Sequence, residues 1–542
     1  MTGTTDGRRD PWVAITVLVA IVAIGAVAYF DLSSPLPLSD EWMFWFPLQS
    51  LRAGQGFQLW PGALPLSLVQ LTVALPVIAV DPRVWRLTEL PFLLLAVACL
   101  YGLGRRLGAA RFWATTGAIT VACAPVTLSV ATGFTSDIAY LGLILLTAVV
   151  ALRWLDRRGR LWPVLVMVSL TTLQRQHGFV MVLALGAALV AERRRDRRSL
   201  LGLASVALVA LVALTAPFAL GIATSTMNGL RGNNGRLGPA PSSIVATVLA
   251  LMPMVGVFFL PLVPALLRRP DDEVPIGRFE LLPVGLCAAG LAGVAGFAYL
   301  FQGTIWPGNV LGVWGLGPTH IGGHKPPLIG IPAFFFLEAL SVVSFVVILG
   351  ARRRQWHPTR LGTAGLFLVV LGLAHLLPMP FTSPLDRYFI AVIAPIAPVI
   401  AAIATRAQGA AGTRRRAGVP VRAAVLLLVA AGVALYGVGE QDYQAWQRAR
   451  DAAARVAYSG LDPARVEAGY EAVANHVAVP QYLRDRRITI DPIDLNPAAP
   501  LARLEFAGPA DRRPGAGYIS ASPGRVVIIC LVPAPTCPFG AP

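Results

Sequence analysis

The sequence predicts an all-α polytopic membrane protein of about 13 transmembrane helices, with a small α/β appendage at its C-terminal end. Of its 542 residues, 56% are hydrophobic and 13% charged, at a mean hydropathy of +0.65, which is far more apolar surface than a water-soluble chain can bury. The apolar residues fall in runs close to the roughly 20 that a helix needs to cross the hydrocarbon core. Arginine crowds every second connecting loop, the asymmetry that marks cytoplasmic loops.

The first run, 12–30, follows Arg8 and Arg9 with no small-residue cleavage site behind it, and reads as a retained signal-anchor helix. Residues 31–85 form a long first outer loop. Within that loop, 63–80 is apolar but broken by Pro65 and Pro76 and carries Gln70. Counted as a span it would move 24 loop arginines outside, so it is expected to lie along the outer membrane surface as a helix. Spans follow at 86–103, 112–131 and 137–154. Residues 161–191 lie between two arginine clusters that both belong in the cytoplasm, so the chain must cross an even number of times there. They are too few for two full spans, which predicts a hairpin of two arms of roughly 14 residues. Its tip, Gln174-Arg175-Gln176-His177-Gly178, then stops within the outer leaflet. The remaining spans are 200–222, 244–267, 281–301, 331–350, 361–378, 387–405 and 421–438. The result is a transmembrane domain over 1–438 and a tail over 439–542, in a multi-pass protein of the cell membrane. Its N-terminus is cytoplasmic and its C-terminus extracytoplasmic, with 26 loop and N-terminal arginines inside. The tail reads as a helix near 440–458 followed by strands at 487–490 and 526–529.

The net charge of +17 suggests nucleic acid until it is located. From Gln441 onward 11 arginines face ten acids, so the excess sits in the membrane part, and nucleic acid is not an expected partner. Forty-four of the 45 basic residues are Arg; with the Ala, Gly and Pro content this suggests a GC-rich bacterial genome. Cys99, Cys123 and Cys287 fall in apolar runs and read as buried thiols. Cys530 and Cys537 lie together in the tail, where an oxidising compartment would allow a disulfide; the alternative is two free thiols.

Chemistry is sought among the few ionisable groups at outer span ends. Asp40 and Glu41 leave the first span beside Trp42, Phe44, Trp45 and Phe46. They are either the solvated start of a loop with interfacial aromatics or carboxylates placed to act as a general base on a hydroxyl. Asp137, at the outer start of a span, either caps that helix or joins other acids in holding a divalent cation. Arg175 and His177 at the hairpin tip, Lys325 with His320 and His324 in a Gly/Pro-rich loop, and Arg387 after Asp386 supply cations on the same side. Arg387 could simply pair with Asp386, and Arg175 could reach lipid headgroups. Yet a cation at the depth of Arg175 must face protein or a watery cavity, and several together suggest a bound phosphate. Two histidines with a distant acid would be an incomplete zinc set. Glu338 and His375 are expected to form interhelical hydrogen bonds.

Three places resemble the GT-C superfamily of polytopic glycosyltransferases, especially its protein O-mannosyltransferase and aminoarabinose transferase branch. Ser39-Asp40-Glu41 resembles the acidic pair of the first external loop. The stretch Gly62 to Gly104, through Arg83-Val84-Trp85-Arg86-Leu87 to Gly104-Arg105-Arg106-Leu107, is similar to the segment joining that loop to the next cytoplasmic turn. Asp386-Arg387-Tyr388-Phe389 resembles the Arg-Tyr entrance to a late span, and Asp137 falls where the family often has an acid. The His-Pro-Pro signature before the surface helix is replaced by Gly62-Ala63-Leu64-Pro65. The resemblance covers roughly the first 405 residues. It implies a GT-C-like fold and transfer of a sugar from a polyprenyl-phosphate donor to an extracytoplasmic glycan, lipid or protein, with inversion. It also implies Asp40, beside Glu41, as base, and Arg175, His177, Lys325 and Arg387 around the donor phosphate. Membrane lipids are the further expected partner, and a divalent metal at Asp137 the one candidate cofactor. A transporter or flippase, or a non-catalytic envelope-assembly protein, is the alternative. No pair of Gly/Pro-broken spans in corresponding halves speaks for the transporter.

Reporter fusions test the topology: fusions within 193–198 and 414–416 should report a cytoplasmic location and fusions beyond 439 an external one. A cytoplasmic tail would reverse the span count and remove Asp40 from the outer face.

Overall fold

The computed structural model describes residues 41–57, 59, 67–193, 196–220, 241–267, 331–350, 358–381, 385–409 and 419–462, with short strand and helix segments between 311 and 323 and between 465 and 530, and isolated residues 16, 25 and 285. The expected spans at 12–30 and 281–301, and Asp40, Lys325, His320, His324, Cys287, Cys537 and the strand at 487–490, lie outside the described residues, as does the side chain of Cys530.

Among the described residues, six helices are long and apolar enough to cross a membrane: Pro82–Arg106, Ser136–Leu155, Arg197–Pro217, Ile244–Leu266, Pro332–Leu349 and Pro420–Gly460. Two bent pairs, Arg111–Ala122 with Pro125–Ala131 and Asp386–Ile393 with Ala397–Ala407, turn by 62° and 55° and bring the number to eight if each is one span. The first bend has a local cause, since Pro125 opens the second helix and cannot donate back into the first. The chain is thus a multi-pass helical membrane protein. One apolar core runs through it from Phe92 to Val425. Lipid tails are as apolar as leucine, so helices must gain by close approach, and small residues mark where they do so. At Gly256, in the helix Pro241–Phe259, a Cβ would fall 1.7 Å from the Ser341 carbonyl oxygen of the helix Ile331–Gly350.

The hairpin arms are close to their expected length, and the helix of the first loop is shorter than the expected 63–80 among the described residues. The apolar stretch of the first loop is a helix from Leu68 to Ala74 continued by a 3-10 turn to Val77, too short to span. Residues 162–191 are two arms, Trp162–Gln174 and Val180–Ala191, joined through Arg175 and a 3-10 turn, Gln176–Phe179. The helix Leu68–Ala74 is docked on the hairpin tip through paired amides. The Gln70 N–H donates to Gln174 Oε1 (3.0 Å), Gln174 Nε2 donates to Gln70 Oε1 (3.2 Å), and the Ser67 N–H donates to the Gln174 carbonyl (3.0 Å). After it, the Asp81 carboxylate caps the turn Pro82–Trp85 and takes two bonds from the Arg83 guanidinium, which holds its carboxyl down at about 2. Cys99 and Cys123 are buried free thiols, as expected.

The tail departs from expectation at its root. No break separates the last span from the expected tail helix; Val419–Gly460 is one helix of 42 residues. The expected boundary between the last span, ending at 438, and the tail helix near 440–458 coincides with a change to polar composition at Glu440-Gln441-Asp442. That change does not end the helix, because good helix formers continue through it. Beyond the helix a five-stranded sheet has the order 322–323, 502–506, 526–530, 518–522, with 466–467 also on 502–506. Its first strand comes from the expected outer loop 302–330: Gly322 and Gly323 pair parallel with Glu505 and Phe506. Gln55 of the first loop donates to the Leu483 carbonyl, and Asp451 of the long helix accepts from His476 (2.7 Å) and Arg455 (2.9 Å).

A larger side chain at the closest helix contact should be poorly tolerated. Gly256→Val is expected to cost about 2 kcal/mol or more, because the obstacle is backbone and cannot move aside. Thermal unfolding of the purified protein in detergent checks this, and an unchanged midpoint would refute the close approach.

Candidate functional site

The cleft is built around the first turn of the helix Ser136–Leu155. Asp137, in that turn, is buried and forms an ion pair with the buried Arg175. Arg175 reaches it because the backbone is extended there, at φ −153° and ψ 133°, between the first hairpin arm and the 3-10 turn. The turn then folds tightly back on its arm. A Cβ at Gly178 would lie 2.5 Å from Thr172 Oγ1, so only glycine fits.

The Arg175 guanidinium lies 4.9 Å from the ring centre of Tyr388 and 6.0 Å from that of Tyr140, and the Arg387 guanidinium lies 5.4 Å from Tyr388. Two cations therefore share one aromatic ring, an arrangement that favours cations in a partly dehydrated site. The Arg387 N–H is held by Asp386 Oδ1 at 2.7 Å, which sets the entrance to its helix. Asp137, Tyr140, Arg175, His177, His375, Arg387 and Tyr388 line one cleft, with Met379, Ile390 and Ala391. Its open space is about 320 Å³ counted out to the mouth. His375 Nδ1 is 2.7 Å from the Leu371 carbonyl, which can only accept, so in the neutral imidazole Nδ1 carries the hydrogen. Nε2 then accepts from the Tyr140 hydroxyl, 2.7 Å away, leaving that oxygen free to accept from a ligand.

Glu41 stands apart from this cleft. Its carboxylate takes two bonds from Arg86, at 2.7 and 2.9 Å, and a third from the Phe134 N–H at 2.8 Å; both partners of the ion pair are buried. Arg86 also lies over Trp45, 5.4 Å from the ring centre. A carboxylate so fully engaged holds the first loop to the helix bundle and is poorly placed to take a proton. Glu89, fully buried, lies among the same groups near Asp137 and Glu41.

Of the residues singled out from sequence, the cleft brings together Asp137, Arg175, His177 and Arg387, and adds His375 from a more distant span. Asp40 and Lys325 lie outside the described residues. The cation reading of Asp137 meets a different geometry, because its partner is Arg175 and no group of three metal-type side chains occurs among the described residues. Sequence reasoning missed Tyr140 and Tyr388 as members of the cleft and Arg86 as the partner of Glu41. Arg86 and Tyr388 were quoted only within motifs, and an arginine at the very start of a span could have been read as needing a buried acid.

No family model and no curated protein sequence matches the chain. One solved structure similar to it is that of ArnT from Cupriavidus metallidurans bound to undecaprenyl phosphate. The two are 14% identical, the match covers 98% of this chain and 99% of that one, and the TM-score is 0.47. A likeness of that degree assigns no residue role or activity here.

Arg86→Ala should destabilise the protein by about 3–5 kcal/mol, because it leaves the Glu41 carboxylate buried without its counter-charge. Glu41→Gln with Arg86→Met should recover most of that loss in the same unfolding assay. A double variant as unstable as Arg86→Ala would show that packing, and not charge, holds the loop.

Proposed function

We propose that the protein is a membrane glycosyltransferase that moves a sugar from a polyprenyl-phosphate donor to an acceptor at the extracytoplasmic face. The observation that carries this reading is the cleft in which Arg175, Arg387 and His177 converge beside a single carboxylate and two tyrosines at the ends of helices. Guanidinium forks match phosphate oxygens in pairs, and a site walled by protein strengthens those bonds relative to water. A lipid-linked donor needs such cations to stabilise the departing phosphate at membrane depth, with the polyprenyl chain left in the bilayer.

In this reading Arg387, together with Lys325 and His177, takes the phosphate. Arg175 is held ready by Asp137 and exchanges part of its bonding to the carboxylate for the donor when it arrives. Tyr140, with its hydroxyl proton committed to His375, offers an acceptor to a sugar hydroxyl. Asp40 removes the acceptor proton from the side opposite the phosphate, so the sugar carbon is inverted. Glu41 positions Asp40 through its neighbouring bonds to Arg86 and Phe134.

Purified protein in lipid nanodiscs separates the roles. Arg387→Ala should weaken binding of radiolabelled polyprenyl phosphate about tenfold to a hundredfold, the loss of one or two charge-assisted hydrogen bonds. Asp40→Asn should bind the lipid as the parent does and form no transfer product. Full transfer by Asp40→Asn, or unchanged lipid binding by Arg387→Ala, would overturn the assignment.

A further inference from the structure

A second site lies at the other end of the helix whose first turn carries Asp137. Trp154 is 17 positions further along it, about 25 Å at the helical rise and close to the thickness of a hydrocarbon core. Here the indole packs on the helix Arg197–Ala219 where that helix has a glycine; a Cβ at Gly202 would fall 2.4 Å from the ring. Between them opens a lateral groove with about 770 Å³ of open space, walled by Trp154, Leu161, Leu201 and Ser205 and closed at one end by Arg197 and Arg198. Leu200 and Leu201 beside it are more than half exposed, so the groove opens onto apolar surface that faces lipid tails in a membrane.

We propose that this groove binds an anionic phospholipid, with its phosphate on Arg197 and Arg198 and an acyl chain against Trp154, Leu161 and Leu201. Depth, shape and charge all favour that occupant. A buried tryptophan one hydrocarbon thickness from Asp137 places the groove where headgroups begin. The two arginines sit in the first turn of their helix, where the positive end of the helix dipole disfavours them unless an anion is near. The acid that opens that helix does not neutralise them. The Ser199 hydroxyl donates to Asp196 (2.8 Å), Arg157 pairs with it (3.2 Å), and these contacts hold its carboxyl below the usual range. No ion pair of Arg197 or Arg198 occurs among the described residues. A zwitterionic lipid brings its own cation to the two guanidinium groups, and an anionic one does not, so the site should discriminate between them. Its place at the opposite membrane face makes this binding separate from that of the cleft.

Native mass spectrometry of the full-length protein, equilibrated in micelles with equal amounts of phosphatidylglycerol and phosphatidylcholine, tests it. The parent should retain phosphatidylglycerol about tenfold over phosphatidylcholine, and R197Q/R198Q should bring the two near parity with an unchanged unfolding midpoint. Equal retention by the parent, or an undiminished preference in the double variant, would overturn the proposal. Should the double variant not fold, photoactivatable phosphatidylglycerol on the parent decides. Labels at 154–161 and 197–205 support the site, and labels only elsewhere refute it.

Discussion

The buried ion pair of Asp137 and Arg175 constrains the end of the helix bundle that carries the cleft. An arginine carried into a membrane by a hairpin too short to pass through it cannot be left without an anion, and the carboxylate that meets it lies in the first turn of a long, well-packed helix. Once that pair is made, the position of the hairpin tip is set, and with it much that touches the tip. Gln174, one residue before Arg175, faces Gln70 and holds the helix Leu68–Ala74, and it also reaches the Ser136 carbonyl at 3.4 Å. Tyr140, one turn after Asp137, reaches His375. Tyr388 lies against Arg175 and brings Arg387 with it. The cleft is what remains between these groups.

Glu41 with Arg86 does for the first loop what Asp137 with Arg175 does for the hairpin. Both pairs are buried, and both join a short segment to the bundle. Such pairs give modest net stability, since desolvation offsets much of their attraction, but removing one partner is costly. They therefore act mainly on register: they fix which part of the loop and which residue of the tip face the cleft. The tail adds a third restraint. Its sheet takes a strand from the loop 302–330, and Gln55 ties the first loop to the Leu483 carbonyl. The long outer segments are thus held at both ends of the sequence.

Much of the fold was legible because a bilayer is a demanding solvent. A helix must be near 20 residues and apolar to cross it, so the span at 331–350 was read to the residue and that at 137–154 to within one. The hairpin and surface helix were legible for the complementary reason: arginine clusters forced an even crossing in one case and forbade a crossing in the other. The continuous helix Val419–Gly460 was not, because a change from apolar to polar composition reports a change of surroundings and not of backbone conformation. Strand 526–530 was visible from its β-branched run, whereas Ala502–Phe506 alternates apolar and polar residues but has no β-branched residue to mark it out as a strand.

By itself, the sequence determined the multi-pass membrane class, the approximate spans and the set of ionisable groups at span ends. It did so because those properties depend on local length, apolarity and arginine bias. Only the tertiary structure decided which of those groups meet. Asp137 is paired with Arg175, Glu41 is taken by Arg86, and His375 is brought into the cleft by Tyr140. A buried charge takes whichever counter-charge the packing brings within reach, and those partners lie 38, 45 and 235 positions apart along the chain. Sequence order carries no signal at such separations.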